Sequence, residues 1–592
     1  MRSNAAAPPT ALEARPPGWP ADAGALERTL ARLAAGVAWK EAFEELLVEL
    51  APDAADRVMQ LSREGRAAWA PLLAARRGRA LLLGNALSGT SVALGRLGFD
   101  VVVLDDDALR LRLAVARGAA LAKSATRAVC AARAALPFAD GSFDLVVAED
   151  GAAEALGELR RVARGELALV VQNRLAYKTN DLRRGKFEVP SPWRFLARAL
   201  WPEGGERTLG SWRRRAGAGA RAFALYPHSD EFSHVVGLDG VGPELYVGPK
   251  ERGNPLKVLA DRAGLFGVLT PSFLMLTRAG PGRPRIEAAL AEVSERSGEG
   301  PVRVAHWIAT RGLSAVLLTE PADGAQGERG RWCVHVPLEP SQDLQVAQHA
   351  RTLALLRREH AGVPVPEPLF EGRAAGLYLS AERRLGDLSA PQLSGDRAAR
   401  ANLLADASRH LAQLVRGPAV VCDELAFERL LGRRFALVAS HARVASTLSE
   451  LERLRAAARE ALLGRSFPRV LMHHDLRGKH VAVEPDGRVL GYLDWGTADR
   501  EGLPFYDLFH LVVHERKQAL GLSAGEAWRQ VRDRRGLEPD ELAALDGYVA
   551  ALDLDPEVAA ALGAIYPVIV AAMAETHWNY SRPRWLHREF GL

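Results

Sequence analysis

Four short apolar runs stand out in the first third of the chain: RALLL at 79–83, FDVVVLD at 99–105, FDLVVA at 143–148 and ELALVV at 166–171. Each is strand-length and too continuously apolar to alternate, the pattern of strands buried on both faces. Between the first two lies SVALGRLG at 91–98, with helical character, so the order of elements predicts a parallel sheet covered by helices. Upstream, ALERTLARLAAGVAWKEAFEELLVELAP from Ala25 to Pro52 has apolar residues at helical intervals and ends at a proline that cannot continue the ladder. Residues 25–77 are read as an amino-terminal helical cap, preceded by a Pro- and Ala-rich flexible leader over 1–24.

The pattern changes after residue 280. GPGRPRIEAALAEVSERSGEG is bracketed by Gly and Pro around a charged helical stretch, so 280–300 reads as a linker between a domain at 78–279 and one at 301–592. Beyond it, VRVAHWIATRGLSAVLLTE, GRWCVHVPL and GLYLSAERRLG read as antiparallel strands, and QDLQVAQHARTLALLRREH reads as a helix. From about Ala398 onward the chain is mostly helical apart from a hairpin at 481–493. A small β-rich lobe followed by a larger helical lobe is the expected outcome.

Composition narrows the class. With 592 residues, 48% of them hydrophobic and 25% charged, the chain is long enough for at least two cores, and no apolar run approaches the ~20 residues of a membrane span. Lys plus Arg minus Asp plus Glu, 77 − 72, gives +5, which is small for this length. Arg213–Arg215 and Arg532–Arg535 are read as solvated faces, and nucleic acid is not indicated. Cys130, Cys333 and Cys422 are far apart with no C-x-x-C pair, so spacing supports neither a disulfide framework nor a thiolate zinc site, and a reducing, cytoplasmic setting is expected.

The candidate chemistry sits in LMHHDLRGKH at 471–480 and GYLDWGTA at 491–498. Asp475 and Asp494 are nineteen positions apart on consecutive loop and hairpin elements. Two such carboxylates suit phosphoryl transfer, where one orients and deprotonates an acceptor hydroxyl and the other holds a magnesium ion on the nucleotide phosphates. An acid at an apolar strand end is costly to desolvate without a partner, which favours function for both. His473 reads as a loop-packing residue, and Asp507 as a backbone clamp on the catalytic loop.

These motifs resemble the aminoglycoside phosphotransferase and choline kinase group, which is built on the protein-kinase-like fold, over roughly Val302 to Leu592. The similarity rests on His473-x-Asp475, on Asp494 in the hairpin, on Pro504 and Asp507 in LPFYDL, and on VPVPEPLF at 363–370. The resemblance implies ATP and Mg2+ as cofactors, Asp475 as the base, Arg477 on the transferring phosphoryl, and Asp494 with His480 on the metal. His480 occupies the position of the family's Asn. The nucleotide-binding Lys is replaced, with His335 nearest its place, and the helical Glu that pairs with it falls at about His349.

The segment from Gly78 to about Arg164 resembles class I S-adenosylmethionine-dependent methyltransferases, chiefly through ALPFADGSFDLVVAED at 135–150 and ELRRVARGELALVV at 158–171. That resemblance implies S-adenosylmethionine near Gly84 and Gly89, with Asp105, twenty-one residues after Gly84, on the ribose hydroxyls. The first strand lacks the family's terminal acid. Residues 173–279 are read as a lid or recognition insertion, with His228, Asp230, Glu231 and His234 in a polar loop. The combined expectation is an α/β Rossmann-like methyltransferase domain followed by an α+β protein-kinase-like two-lobed domain. It is a two-domain transferase acting on a small-molecule or glycan acceptor; a nucleotide-responsive scaffold retaining both folds is the alternative.

Overall fold

The computed structural model describes residues 23–577 and Phe590, apart from internal stretches of which the longest are 194–206 and 246–264. The expected leader lies almost wholly outside the described residues, as does part of the 173–279 insertion. The amino-terminal cap is three helices, Ala23–Ala34, Trp39–Glu49 and Pro52–Ser62. Gly36, at φ +87°, breaks the first from the second. Pro52 opens the third helix at its first turn, where a missing N–H costs nothing.

The four apolar runs become β1 (Gly78–Leu83), β2 (Phe99–Asp105), β4 (Phe143–Ala148) and β5 (Ala163–Gln172), joined by a short β3 (Arg127–Cys130). They pair in parallel in the order β3-β2-β1-β4-β5. After a two-stranded ribbon, β6 (Thr179–Asp181) with β7 (Lys186–Glu188), three further strands extend the sheet: β8 (Arg221–Tyr226), β9 (His234–Gly237) and β10 (Ser272–Arg278). β10 enters antiparallel between β5 and β8, and β9 pairs antiparallel with β8.

The sheet does not stop there. β11 (Val302–Thr310) is joined to β9 at Ile308 opposite His234, the Ala309 N–H donating to the Ser233 carbonyl at 2.8 Å. β12 (Ser314–Pro321), β13 (Trp332–Pro337), β14 (Pro368–Ala374) and β15 (Leu377–Arg383) continue it antiparallel in the spatial order β12-β13-β15-β14, giving thirteen strands in one sheet among the described residues. The segment expected to be a linker instead holds a packed helix, Arg285–Ser297, with Ile286, Ala289, Leu290 and Val293 buried. Its Arg285 is 2% exposed because its guanidinium donates to the carbonyls of Ala75 and Leu97, at 2.8 and 3.0 Å, and lies over the Phe99 ring. One apolar cluster runs through both halves, from Leu82 and Val101 to Trp307 and Trp332.

The large lobe has its own core around Phe427, Leu471, Tyr492, Trp495, Leu508 and Tyr566. Among the described residues no single helix is long and apolar enough to cross a membrane; the bent apolar pair Pro556–Ala564 and Tyr566–Thr576 is packed in that core.

Candidate active site

The loop after the strand Val470–Met472 is fixed from below by the first turn of the helix Tyr506–Leu520. Both oxygens of Asp507 accept backbone N–H groups, from His473 at 2.6 Å and His474 at 2.8 Å, which is the clamp expected of this acid. Burial pushes the Asp507 carboxyl up to about 6 against the pull of His473 and those two N–H groups. His473 is fully buried beside Trp495, with its Nε2–H donating to the Leu493 carbonyl at 2.7 Å. The Leu493 N–H donates in turn to the His480 carbonyl at 2.8 Å. Leu493 is thus tied at both ends to the 473–480 loop, and this places its neighbour Asp494 beside it.

The structure brings Asp475, Arg477, His480 and Asp494 together. Asp475 is 6% exposed and accepts from Arg477, with His510 Nε2 at 3.6 Å from its other oxygen. Burial opposes its charge, yet Arg477 and then His510 hold the carboxyl well below the usual range, so it is ionised. His480 Nδ1 lies 2.7 Å from the Asp475 carbonyl oxygen, so that nitrogen carries the proton and donates. Its Nε2 lies 3.5 Å from Asp494 Oδ2. Burial, then Lys479, lowers the His480 imidazole to about 3, which leaves Nε2 as a bare lone pair facing a carboxylate.

Asp494 has φ +62°, a left-handed conformation that a side chain other than Gly adopts only under constraint. Partial burial raises its carboxyl, but the Asp494 side chain is 55% exposed, and the positive charge of His335 and Lys479 nearby holds it below the usual range, at about 2. A lone pair and an ionised oxygen facing each other, with no proton between them, fit a divalent cation.

In the small lobe two imidazoles gather around a buried acid. His349, on the helix Pro340–Glu359, accepts the Trp495 N–H at Nδ1 (2.9 Å) and donates from Nε2 to Glu382 on β15. His335 Nε2 on β13 lies 3.6 Å from the other Glu382 oxygen and 3.5 Å from Cys333 Sγ. Glu382 is 3% exposed; burial opposes its charge, and His349 with His335 brings it to about 2. His335 therefore faces protein ligands within the lobe.

The polar groups at the amino-terminal crevice are paired within the chain. The switch point lies between β1 and β4, beyond whose carboxyl ends a doubly wound sheet binds ligands. At Gly89 an added Cβ would meet the Arg63 carbonyl oxygen at 2.0 Å, and at Gly84 (φ +153°) it would meet Glu149 at 3.1 Å. Asp105 is 1% exposed, ion-paired through both oxygens with Arg110 and accepting from the Ala86 N–H. Glu149, also buried, accepts from Ser88 and Thr90 and lies 3.5 Å from Arg66. Gly89 is packed on the Arg63 backbone and Asp105 is committed to Arg110, so the residues do not fit S-adenosylmethionine as arranged. Asp230 and Glu231 belong to the same packing, paired with Arg66 at 2.7 Å and Arg63 at 3.4 Å, while His234 Nδ1 meets Ser233 Oγ at 2.8 Å.

Residues 322–548 match the phosphotransferase enzyme family. The match runs from the end of β12 through both acids to the helix Pro539–Ala551. Among solved structures, a macrolide 2′-phosphotransferase of type I is similar at 18% identity, covering 51% of this chain and 91% of its own, with a TM-score of 0.31. A choline/ethanolamine kinase family protein from Mesorhizobium loti is 17% identical, covering 48% and 98%, with a TM-score of 0.28. A SAM dependent methyltransferase from Aquifex aeolicus is 16% identical over 20% of this chain and 67% of its own, with a TM-score of 0.16. Comparison with curated proteins finds no match.

Within the phosphotransferase-family segment, sequence reasoning missed three acids and bases. His510 stands three residues after Asp507, one turn along the same helix face, a spacing that signals its approach to the loop. Glu382 is a carboxylate in a buried strand, the feature that had singled out Asp494. Glu515 lies beneath Gly478, where an added Cβ would meet its Oε1 at 2.1 Å, and burial raises its carboxyl to about 7.

Proposed function

We propose that this chain is an ATP-dependent phosphotransferase acting on a hydroxyl of a small molecule, a sugar, amino sugar or amino alcohol. The observation that carries it is that Asp475 and Asp494 flank one imidazole, His480, with nitrogens 2.7 Å from the Asp475 carbonyl and 3.5 Å from the Asp494 carboxylate. The names of the similar structures, macrolide phosphotransferase and choline/ethanolamine kinase, support the acceptor class.

In this reading Asp475 accepts the proton of the acceptor hydroxyl as its oxygen attacks the γ-phosphorus, and ADP leaves. Arg477 shields Asp475 and is placed to turn toward the transferring phosphoryl. Asp494 and His480 would hold a divalent ion, which would supply the positive charge that neutralises the nucleotide phosphates. Asp507 contributes by fixing the loop that carries Asp475. The amino-terminal sheet serves as a scaffold, continuing the small lobe through β9 and β11.

The test is phosphate transfer from ATP across a panel of sugars, amino sugars and amino alcohols, with Asp475→Ala as control. Transfer to at least one acceptor, lost in the variant, is expected. Equal rates in both proteins remove the assignment.

A further inference from the structure

β13 alternates. Trp332, Val334 and Val336 point into the core, whereas Cys333 and His335 point to the other face, two residues apart and therefore on the same side. The register with β15 sets Glu382 directly opposite Cys333. Three donors of different chemistry converge: Cys333 Sγ is 3.5 Å from His335 Nε2, His335 Nε2 is 3.6 Å from Glu382 Oε1, and all three ligand atoms lie within 4.8 Å of one another. A tetrahedral zinc ion with ordinary Zn–S, Zn–N and Zn–O bonds sets its sulfur–nitrogen edge at about 3.5 Å and its nitrogen–oxygen edge at about 3.4 Å. The measured separations correspond to those edges with little movement.

The surroundings supply what a metal ligand needs behind it. The second oxygen of Glu382 is held by His349 Nε2–H, and His349 is oriented by the Trp495 N–H at 2.9 Å. Outer hydrogen bonds of this kind fix a ligating carboxylate in place. A thiolate, an imidazole and one carboxylate form a ligand set suited to a borderline cation and not to magnesium, which prefers an oxygen shell.

We propose that Cys333, His335 and Glu382 bind a zinc-class divalent cation, with a fourth coordination position open. Binding displaces the protons held by the Cys333 thiol and the His335 imidazole and releases them to solvent; no electron is transferred. The cation links β13 to β15 and, through Glu382, His349 and Trp495, to the loop that carries Asp494. Occupancy of this site does not depend on the phosphotransferase reading, because none of its three ligands is Asp475, Asp494 or His480.

The test uses the full chain stripped of metal and titrated with Co2+, followed by Zn2+. The expected result is a thiolate-to-cobalt charge-transfer absorption that saturates at one equivalent and is bleached by one equivalent of zinc. Cys333→Ser abolishes the band, whereas Cys130→Ser and Asp494→Ala retain it, which separates this site from the one at Asp494 and His480. His349→Ala weakens zinc binding by roughly 10- to 100-fold, the usual cost of losing an outer partner. No saturable band in the parent protein overturns the proposal, as does a band that survives in Cys333→Ser. Should Cys333→Ser fail to fold, His335→Gln decides, and unchanged zinc affinity in that variant overturns it equally.

Discussion

His480 turns an unprotonated ring nitrogen toward the Asp494 carboxylate, 3.5 Å away, while its other nitrogen donates to the carbonyl of Asp475. The carbonyl dictates the tautomer, and the tautomer leaves the lone pair on the side of Asp494. One imidazole therefore joins the loop of the proposed base to the proposed metal ligand.

A nitrogen–oxygen ligand pair favours later first-row cations over magnesium. We predict that Mn2+ binds more tightly than Mg2+ and that His480→Asn reduces the difference. His480→Ala should weaken Mn2+ binding by at least about tenfold, the lower bound for disturbing even an outer partner of a metal ligand. Calorimetric titration of each ion measures this; equal Mn2+ affinity in parent and His480→Ala contradicts the assignment.

Glu515 makes stability depend on pH. Its carboxyl is raised from 4.5 to about 7 by burial, so the folded state keeps a proton that the unfolded chain has released, and stability falls as pH rises from about 4.5 to 7. Glu515→Gln should leave stability unchanged near pH 4.5 and increase it by up to about 3 kcal/mol above pH 7. Urea denaturation at the two pH values checks this.

Asp507 holds two buried N–H groups, and hydrogen bonds to a charged group are worth about 1.5–3 kcal/mol each. Asp507→Ala should destabilise the protein by roughly 3–5 kcal/mol, measured by chemical denaturation, with turnover falling as the Asp475 loop loosens.

At the amino-terminal crevice, Gly89→Ala should cost about 1–3 kcal/mol because the new methyl meets the Arg63 carbonyl. S-adenosylmethionine titrated into the parent protein should give no saturable heat, since Asp105 is already engaged by Arg110.

The sequence disclosed whatever depended on local pattern. The runs ending at Leu83, Asp105 and Ala148 gave the strands of the parallel sheet, and the short spacing from His473 to His480 gave the loop. What it concealed depended on distant pairing. Pairing of β11 with β9 at Ile308 and His234, supported by a bridge from His306 to Glu244, fuses the two halves into one sheet, and no periodicity in either strand signals it. The stretch at 280–300 resembled a spacer because Gly and Pro bracket its charged helix, but two carbonyls and an aromatic face allow the Arg285 guanidinium to be buried. Likewise the acid beyond Gly84 fitted a ribose ligand by spacing, while Arg110, five residues later, takes both of its oxygens.

The most direct measurement compares turnover and nucleotide affinity in Asp475→Asn and Asp494→Asn, using an acceptor found in the panel. Asp475→Asn should lose about 10²- to 10⁴-fold in kcat, the range of a general base, while retaining ATP affinity, and Asp494→Asn should lose both turnover and metal-dependent ATP binding. Undiminished phosphoryl transfer by Asp475→Asn contradicts the account.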